Sequence, residues 1–434
     1  MKKIVVLGAG ISGLTAARAV TAHGHECVVV ERCPTVGGLT RTVEVGDFCF
    51  DYTGHFLHLS RCGTPADIPY AGLTNEAWQQ VTRRSFCFVA GKMITAPLQY
   101  NLGELPKEVL SPCVESYEAR LAVASSQETT FRDYIVHGFG QYLADLFLIP
   151  QNEKTMAIGL DRLSISAVKR FFPPPDDALV RSGIRGDSES ASRREYNSAF
   201  WYPKTGGIGQ LVSGLAKTLN VRTSQEITAI DLQKRTLRTM MGEIYEWDML
   251  FSSIPLKSLC QCTNDPELIE AGRSLSHSST VSFNIGLKGA PPKVFNDAHW
   301  VYVPDRTIPF YRVGSYSNIS KGTCSQGHSG IYVEVGLASE ELPRMELVRD
   351  LQPKVIAALE QLGWIDSGAI SCVVINVIEH AYVHHTKNRQ DVVDVIRARL
   401  QRSGIYSIGR YGQWDYTSME DSMDSARQAV AEAL

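Results

Sequence analysis

The hydrophobic pattern at the start of the chain predicts one strand–helix–strand unit. Residues 3–7 form a short apolar run, and a turn rich in glycine, residues 8–13, follows directly. Apolar residues then recur at helical spacing over residues 14–23, and a second apolar run covers residues 26–30. A strand, a glycine turn, a helix and a second strand in this order predict a Rossmann-like βαβ unit.

Beyond this unit the pattern alternates between helical and strand-like regions. It indicates helices over 104–170, a polar surface loop over 178–198, a second αβ region over 206–255, short strands over 276–340 and 370–383, an amphipathic helix over 343–362, and a closing strand, glycine turn and helix over 407–434. The β-rich runs, such as residues 280–287 and 330–335, predict an antiparallel sheet.

Composition describes an ordinary globular protein with no general affinity for polyanions. Of the 434 residues, 44% are hydrophobic and 21% are charged, which excludes a largely disordered chain. The 43 Lys and Arg against 46 Asp and Glu give a net charge of −3, so any anion site must be built locally. Neither nucleic acid nor a membrane is expected as a partner.

The sequence offers no targeting segment and no metal motif. No apolar run is long enough for a signal peptide or a membrane span. The 10 cysteines are scattered, with Cys260 and Cys262 the closest pair, and show no zinc or disulfide spacing. His380, His384 and His385 lie in a strand-like run, and no metal is predicted. These features predict a cytoplasmic location.

The first chemical motif is the glycine turn itself. Gly8, Gly10 and Gly13 form a Gly-x-Gly-x-x-Gly pattern after the first strand, and Glu31 closes the second strand. This is the dinucleotide fingerprint: the glycines allow close approach of a pyrophosphate, and the helix N-terminus adds amides and a positive dipole. Glu31 is expected to accept hydrogen bonds from the adenosine ribose. The alternative is a tight turn in an α/β core that binds nothing.

The second motif separates FAD from NAD as the expected cofactor. After Glu31 a short loop leads to Gly37 and Gly38 and then to the basic residue Arg41. This arrangement resembles that of flavoproteins with two dinucleotide-binding domains, in which the Gly-Gly backbone and the arginine extend the pyrophosphate cradle. The resemblance implies FAD, and the alternative is an ordinary loop with two glycines.

A third segment places Gly54 beside His55. The small residue allows a backbone to lie close against a flat ring, and His55 is a candidate catalytic and cofactor-contacting residue. A lone histidine is more often a core or surface residue, which is the interpretation kept for His58.

Further motifs follow in order along nearly the whole chain. They are the segments 97–101, 150–154, 200–209, 309–312 and 409–416. Together with the glycine motifs, they resemble the flavin amine oxidase superfamily, in particular the UDP-galactopyranose mutases of the eukaryotic type. The last segment, Gly-Arg-aromatic-Gly-x-Trp-x-Tyr, is more specific to the mutase branch than the flavin motifs are.

For the cofactor, the resemblance implies four further contacts. Gly207 belongs to a glycine-rich segment that would pass over the isoalloxazine ring; the alternative is a strand–helix turn. Arg410 would reach the FAD phosphates; the alternative is a surface salt bridge. Ser418 and Met419 would begin the last helix near the flavin pyrimidine, where a helix N-terminus stabilises negative charge on reduced flavin.

For the substrate, the resemblance implies a diphosphate clamp outside the flavin. Arg312 is the candidate cation and a candidate catalytic residue, since a guanidinium suits phosphate through a bidentate fork. Tyr382 and Tyr416 match phosphate-binding tyrosines, with packing roles as the alternative. The other implied pocket positions are Trp300 and Tyr302, which share one strand face, and Gln99 and Asn152, which match nucleotide-contacting positions.

Two positions depart from the family pattern. Where the family has an arginine, this chain has Phe171, with Arg170 one step earlier, and one step rotates a helical side chain by about 100°. Where the family has an asparagine, this chain has Glu420, which would repel a nearby diphosphate. These departures weaken the expectation of UDP-galactose as substrate and leave the expectation of FAD unchanged.

The combined prediction is an α/β fold with a discontinuous FAD-binding Rossmann-like domain, an inserted helical domain and an antiparallel β-sheet substrate domain. The expected boundaries are 1–90, 195–275 and 385–434 for the FAD-binding parts, 91–194 for the helical domain, and 276–384 for the sheet domain.

The function that the resemblance implies is a FAD-dependent pyranose–furanose mutase acting on a nucleotide sugar. In that chemistry, N5 of reduced flavin is the nucleophile at the anomeric carbon, and NAD(P)H is the expected external reductant. The alternative is an FAD oxidoreductase of the amine oxidase or protoporphyrinogen oxidase type, for which an apolar tunnel with aromatic walls would be typical.

Overall fold

The computed structural model describes residues 2–120, 130–165, 172, 176–186, 198–339 and 345–434. A parallel sheet and a largely antiparallel sheet dominate it, which confirms the predicted α/β fold with a Rossmann-like part. Within these ranges no helix combines the length and the apolar character needed to cross a membrane.

The strands and helices alternate along the chain. The strands are β1 Ile4–Leu7, β2 Cys27–Val30, β3 Thr42–Val45, β4 Phe48–Asp51, β5 Trp78–Thr82, β6 Ser85–Val89, β7 Lys92–Thr95, β8 Ala199–Pro203, β9 Val221–Arg222, β10 Ile227–Asp231, β11 Thr236–Thr239, β12 Ile244–Glu246, β13 Met249–Ser252, β14 His277–Lys288, β15 Trp300–Tyr302, β16 Arg312–Ser315, β17 His328–Ala338, β18 Ile370–Val383 and β19 Ile405–Ser407. The helices are α1 Ile11–Ala22, α2 Lys107–Ala119, α3 Phe131–Phe139, α4 Gln141–Leu143, α5 Ile149–Met156, α6 Asp177–Arg185, α7 Gly209–Ala216, α8 Leu256–Gln261, α9 Pro266–Ser274, α10 Tyr316–Ile319, α11 Met345–Gln361, α12 Arg389–Arg402, α13 Gly409–Gly412 and α14 Met419–Ala433.

The parallel sheet collects its strands from distant parts of the chain. Its order is β19-β13-β1-β2-β9, and every neighbouring pair is parallel. Ile4 and Val6 of β1 pack against α1, α7 and α14, whereas Val5 and Leu7 belong to the core beneath α8, α9 and α12. Burial on both faces explains why β1 is apolar at every position rather than at every second one.

The second large sheet has the order β18-β14-β17-β16-β15-β6-β7. All of its pairs are antiparallel except β15–β6. Helix α11 covers its apolar face, where Val348, Val355 and Leu359 meet Val281 and Phe283 of β14. Because β6 comes from residues 85–89, part of the predicted FAD-binding segment contributes to this sheet. The domain boundaries stay a prediction.

The helical part has its own core, and one expectation about it was wrong. Helices α2 to α6 pack around a cluster that includes Tyr117, Phe139 and Val180. Residues 178–185, expected to begin a surface loop, belong to helix α6. Asp176 caps this helix by accepting hydrogen bonds from two amides of its first turn. The remainder of the expected loop, residues 187–197, lies outside the described residues.

Candidate active site

A cavity of about 1340 Å³ lies between the parallel sheet and the seven-stranded sheet. Pockets for one drug-sized ligand are roughly 300–1,000 Å³, so this volume suits a large cofactor together with a substrate. Of the predicted site residues, those that line the cavity are Gly8, Gly10, Glu31, Gly38, Arg41, Gly54, His55, Gln99, Asn152, Trp300, Tyr302, Arg312, Tyr382, Arg410, Tyr416, Ser418 and Met419. Gly13, Gly37 and Gly207 lie outside the lining.

The glycines of the first motif have different structural roles. Gly8 adopts a left-handed conformation with φ +89°, and its amide donates to the carbonyl of Val30 over 2.9 Å. A Cβ on Gly13 would collide with the carbonyl oxygen of Gly8, so Gly13 allows α1 to pack against the turn. A Cβ on Gly10 would meet its nearest neighbour, Cα of Gly38, only at 3.9 Å, so that position opens into the cavity.

The second glycine motif packs directly against the first. The amide of Gly37 donates to the carbonyl of Ala9 over 2.7 Å, and Gly37 and Gly38 both have positive φ. A Cβ on Gly37 would lie 2.8 Å from Cγ of Arg41. Arg41 donates from Nε to the carbonyl of Gly38 over 2.9 Å, so the tight turn fixes the arginine at the cavity wall.

Glu31 binds the backbone on both sides of the second strand. Its buried carboxylate accepts hydrogen bonds from the amides of Ala9 at 2.7 Å and Cys33 at 2.8 Å. Helix α1 begins next to it without a side-chain cap and without an acidic residue in its first turn. Its N-terminal amides therefore face the cavity as donors for an anion.

Arg312 is paired with Glu334, a residue that the sequence analysis did not place beside it. Its Nε and Nη2 donate to the two carboxylate oxygens of Glu334 over 2.6 and 2.8 Å, and the hydroxyl of Thr53 donates to the same carboxylate. Burial would raise the pKa of Glu334, but the charge of Arg312 and the hydrogen bonds from Arg312, Thr53 and Tyr311 together lower that pKa. The site thus carries a neutral ion pair, and the Nη1 edge of the guanidinium remains for another ligand.

His55 lies close to this ion pair. Burial lowers the pKa of His55 to about 4. The positive charges of Arg312 and Arg410 lower this pKa further, whereas the negative charge of Glu334 raises it. Its imidazole is therefore neutral near pH 7, and its buried Nδ1 has no partner among the described residues. At the neighbouring Gly54, the flat ring in close approach is that of Tyr332, whose Cζ would lie 2.6 Å from a Cβ.

An aromatic and cationic stack forms another part of the cavity wall. The rings of Tyr382 and Tyr416 are stacked with centroids 5.7 Å apart, and the Arg410 guanidinium lies 4.2 Å from the Tyr416 centroid. Nη1 of Arg410 donates to the carbonyl of Thr417 over 3.0 Å, while its buried Nε has no partner in the described part of the chain. Arg410 is thus a cavity residue, not a member of a surface salt bridge.

The other predicted pocket residues lie on strand β15, on helix α5 and in the turn at residues 98–100. Trp300 stacks on Phe56 at 5.1 Å, and Tyr302 pairs in register with Arg312 on the next strand. Asn152 donates from Nδ2 to the carbonyl of Leu148 over 2.7 Å, and Gln99 lies in the same lining. Their contacts with a nucleotide stay predictions.

The last helix begins where the sequence indicates. Ser418 caps α14, because its hydroxyl accepts from the amide of Asp421 at 3.1 Å, and the Asp421 carboxylate accepts from the amide of Ser418 at 2.9 Å. Ser418 and Met419 line the cavity, so the N-terminus of this helix reaches it.

Three positions of the sequence analysis lie away from the cavity lining or beyond the described residues. A Cβ on Gly207 would collide with Asp51 and Thr42, so this glycine allows close packing of the turn, and its place over the flavin ring stays a prediction. The carboxylate of Glu420 points away from the pocket, as its hydrogen bonds to residues 60–62 show. Phe171 lies outside the described residues. Within those residues, no group of His, Cys, Asp and Glu is arranged to hold a metal.

Comparison with known proteins shows which folds the chain resembles. Residues 6–65 match the NAD(P)-binding Rossmann-like domain family. The structure matches reduced UDP-galactopyranose mutase with a TM-score of 0.90 and 26% identity, over 100% of this chain and 95% of that one. The chain has the UDP-galactopyranose mutase fold. The resemblance inferred from the motifs is therefore confirmed.

Oxidases share this mutase fold at lower similarity. A candidate protoporphyrinogen oxidase from Exiguobacterium sp. 255-15 matches with a TM-score of 0.74 and 18% identity, covering 99% of this chain and 98% of that one. A cofactor-binding variant of putrescine oxidase matches with 0.66 and 12%, covering 100% and 98%. The two oxidases show the shared fold, and the similarity to reduced UDP-galactopyranose mutase supports a FAD-type enzyme.

The residues at the glycine turns fit that cofactor. The amides at the start of α1 have no side-chain cap, Gly10 leaves room for close approach, and Arg41 lies beside both. Nε of Arg410 and Nδ1 of His55 are buried cavity-lining atoms without partners in the described ranges, as expected where a polar ligand completes a site.

Two functional positions were missed by sequence reasoning. Glu334 interrupts the apolar sequence of β17 with a buried charge, and that interruption was the available signal. Asp51 accepts hydrogen bonds from the hydroxyls of Thr42 and Tyr202, both at 2.6 Å, and from the amide of Ile208 at 2.9 Å. It therefore joins the start of the His55 segment to the turn at residues 207–209.

Proposed function

We propose that this protein is a FAD-dependent mutase that interconverts the pyranose and furanose forms of a nucleotide sugar. The observation that carries the proposal is the single cavity, in which the dinucleotide turn and the side chains of Arg312, Tyr382 and Tyr416 meet. The similarity to a UDP-galactopyranose mutase over the full chain supports it.

The first part of the cavity would hold the cofactor. Gly8, Gly10 and Gly38 allow backbone approach, Glu31 in the cavity lining would accept hydrogen bonds from the adenosine ribose, and Arg41 adds positive charge. Reduced FAD, when bound, would supply the nucleophile at the anomeric carbon. NAD(P)H is the proposed reductant, and the isomerisation itself needs no net oxidation or reduction.

The chain's own residues would hold the nucleotide and stabilise its charge. The Nη1 edge of Arg312 can donate to a diphosphate oxygen while Nε and Nη2 stay on Glu334. The hydroxyls of Tyr382 and Tyr416 can donate to the same group, which keeps the leaving diphosphate in place for its return. His55, being neutral, can make one hydrogen bond without changing the charge of the site.

The second candidate is a true oxidoreductase. The similarity to two oxidases and the stacked pair of Trp300 and Phe56 favour it. The hydrogen-bonding groups on the same walls, including Gln99, Asn152 and Tyr302, favour a polar substrate instead.

The test is an anaerobic assay with a panel of UDP-, GDP- and dTDP-sugars, after dithionite or photochemical reduction, with products separated by chromatography. We expect a furanose–pyranose pair for at least one nucleotide sugar. The absence of an isomer with every nucleotide, from protein that contains FAD, would overturn the proposal.

Arg312 provides the matched variants for this assay. Arg312→Ala should lose about 2–5 kcal/mol of binding or transition-state stabilisation, which corresponds to roughly 30- to 3,000-fold in kcat/KM. Arg312→Lys should recover only part of this, because a point charge lacks the fork. FAD content should stay the same in both, and equal nucleotide affinity in Arg312→Ala would contradict the clamp.

A further inference from the structure

Lys154 lies outside the cavity lining, but it contacts the segment between two lining residues, Tyr302 and Arg312. Its Nζ donates to the backbone carbonyls of Val303 and Asp305, both at 2.7 Å, and of Phe310 at 2.6 Å. An ammonium group has three N–H bonds, so these three carbonyls satisfy it completely.

The three acceptors lie in the connection between β15 and β16. Val303 directly follows Tyr302, the end of β15, and Phe310 comes two residues before Arg312, the start of β16. The amide of Val303 also donates to the carbonyl of Tyr311 over 2.9 Å, so both ends of the connection are paired. Lys154 therefore binds this hairpin close to Tyr302 and Arg312, the two cavity residues that the hairpin connects.

Helix α5 makes further contacts with the same hairpin. Gln151 donates from Nε2 to the carbonyl of Tyr311 over 3.1 Å, one residue before Arg312. Glu153 also forms an ion pair with Arg306, but the Arg306 side chain is 60% exposed, so this contact adds little to the position of the hairpin. The charged groups around the Lys154 ammonium are thus Asp305, Arg306 and Glu153.

We propose that Lys154 is a positioning residue that sets the place of Arg312 and Tyr302 for nucleotide binding. This rests on the proposed function, because it assigns Arg312 to the diphosphate. Burial lowers the pKa of Lys154 to about 7, so the protonated form with all three N–H donors is present below that pH. Three hydrogen bonds from one nitrogen to three carbonyls of one backbone segment fix its geometry more firmly than a single contact does. The same helix contributes Asn152 to the cavity, so the helix and the hairpin are held in one relative position.

The experiment compares the FAD-loaded wild type with Lys154→Met, Lys154→Arg and Glu153→Gln. Lys154→Met keeps the aliphatic stem and removes all three donors, whereas Lys154→Arg keeps N–H donors. Glu153→Gln removes the ion pair on the same helix and hairpin, where an exposed pair contributes little. UDP and GDP affinities are measured by calorimetry, together with FAD content and thermal unfolding.

We expect Lys154→Met to bind the nucleotide about 10- to 100-fold more weakly at unchanged FAD content, as small displacements of binding groups do. Lys154→Arg should recover part of the affinity, and Glu153→Gln should bind like the wild type. A loss of thermal stability with unchanged nucleotide affinity in Lys154→Met would show a merely structural role and overturn the inference.

A second readout separates this inference from the proposed function. Hydrogen exchange of residues 303–311 needs no substrate and should speed up in Lys154→Met relative to Glu153→Gln. If the wild type binds no nucleotide, the proposed function fails, and unchanged exchange would then also overturn the role of Lys154. Faster exchange confined to this hairpin would support the role even in that case.

Discussion

Arg312 and Glu334 are register partners on β16 and β17, and two hydrogen bonds of 2.6 and 2.8 Å join the guanidinium to the carboxylate. The Glu334 side chain is 1% exposed, so neither charge is isolated in a buried site. Because Glu334 balances its charge, Arg312 on strand β16 faces the cavity as part of a neutral ion pair. An incoming diphosphate therefore meets an ion pair whose charge is already balanced, and needs further donors such as the nearby Arg410 and the tyrosine hydroxyls.

Replacing Glu334 by Gln should weaken the folded protein and strengthen its response to a nucleotide. Removing one partner of a buried pair costs about 3 kcal/mol or more, because the other charge stays buried. A bound diphosphate would compensate Arg312 in the variant. UDP should therefore raise the thermal unfolding temperature more in Glu334→Gln than in wild type. Equal shifts in the two proteins would show that UDP does not meet Arg312.

Two glycines of the same motif should respond differently to substitution. Gly10→Val places its side chain in open cavity space, where a cofactor pyrophosphate is expected, so the protein should fold but lose FAD. Gly13→Ala creates a collision with the carbonyl of Gly8 and should impair folding. Circular dichroism and flavin absorbance separate the two outcomes. A folded Gly10→Val protein with full FAD content would contradict the assignment of this turn.

The sequence was most informative where function depends on local spacing. The glycine turns, the start of α14 at Met419 and the strand β18 followed directly from residues close together in the chain. Contacts between distant segments could not be predicted, because strand register brings Arg312 to Glu334 and no local pattern encodes that register. For the same reason Glu420 was expected near the substrate, although its fourfold hydrogen bonding directs it to another loop.

Asp51 should make stability depend on pH in an unusual direction. Burial raises the pKa of Asp51 to about 6, against hydrogen bonds from Thr42 and Tyr202 that lower it. Between about pH 4 and 6 the folded state then binds a proton that the unfolded chain, with a pKa of about 3.9, does not bind. This group therefore favours folding at the acidic end of the window and opposes it above about pH 6.

The variant Asp51→Asn tests this contribution. Denaturant unfolding of wild type and variant at about pH 4.5 and pH 7 gives the difference in unfolding free energy between them at each pH. The variant should gain relative to wild type on going to the higher pH, by about 1–3 kcal/mol for a shift of two pKa units. A difference that stays constant with pH would contradict the raised pKa.

Glu420 should matter for stability and not for substrate. Its carboxylate accepts hydrogen bonds from the amides of Ser60, Arg61 and Cys62 and from the Ser60 hydroxyl, at 2.7–2.9 Å. Glu420→Gln should cost about 1–3 kcal/mol of unfolding free energy through lost charge-assisted bonds. Nucleotide affinity by calorimetry should remain that of wild type. A change in affinity without a change in stability would instead place Glu420 in the substrate site.

The most direct measurement of the central claim is redox accounting during turnover. The enzyme is reduced once under anaerobic conditions, supplied with its nucleotide sugar, and the isomer formed is counted against flavin reoxidised. A mutase should form many equivalents of isomer for each reduced flavin. When oxygen is admitted during turnover, the only hydrogen peroxide should be the small amount that slow reoxidation of the flavin produces. Product that appears only with oxidised enzyme, in step with hydrogen peroxide, would contradict the account and establish the oxidase alternative.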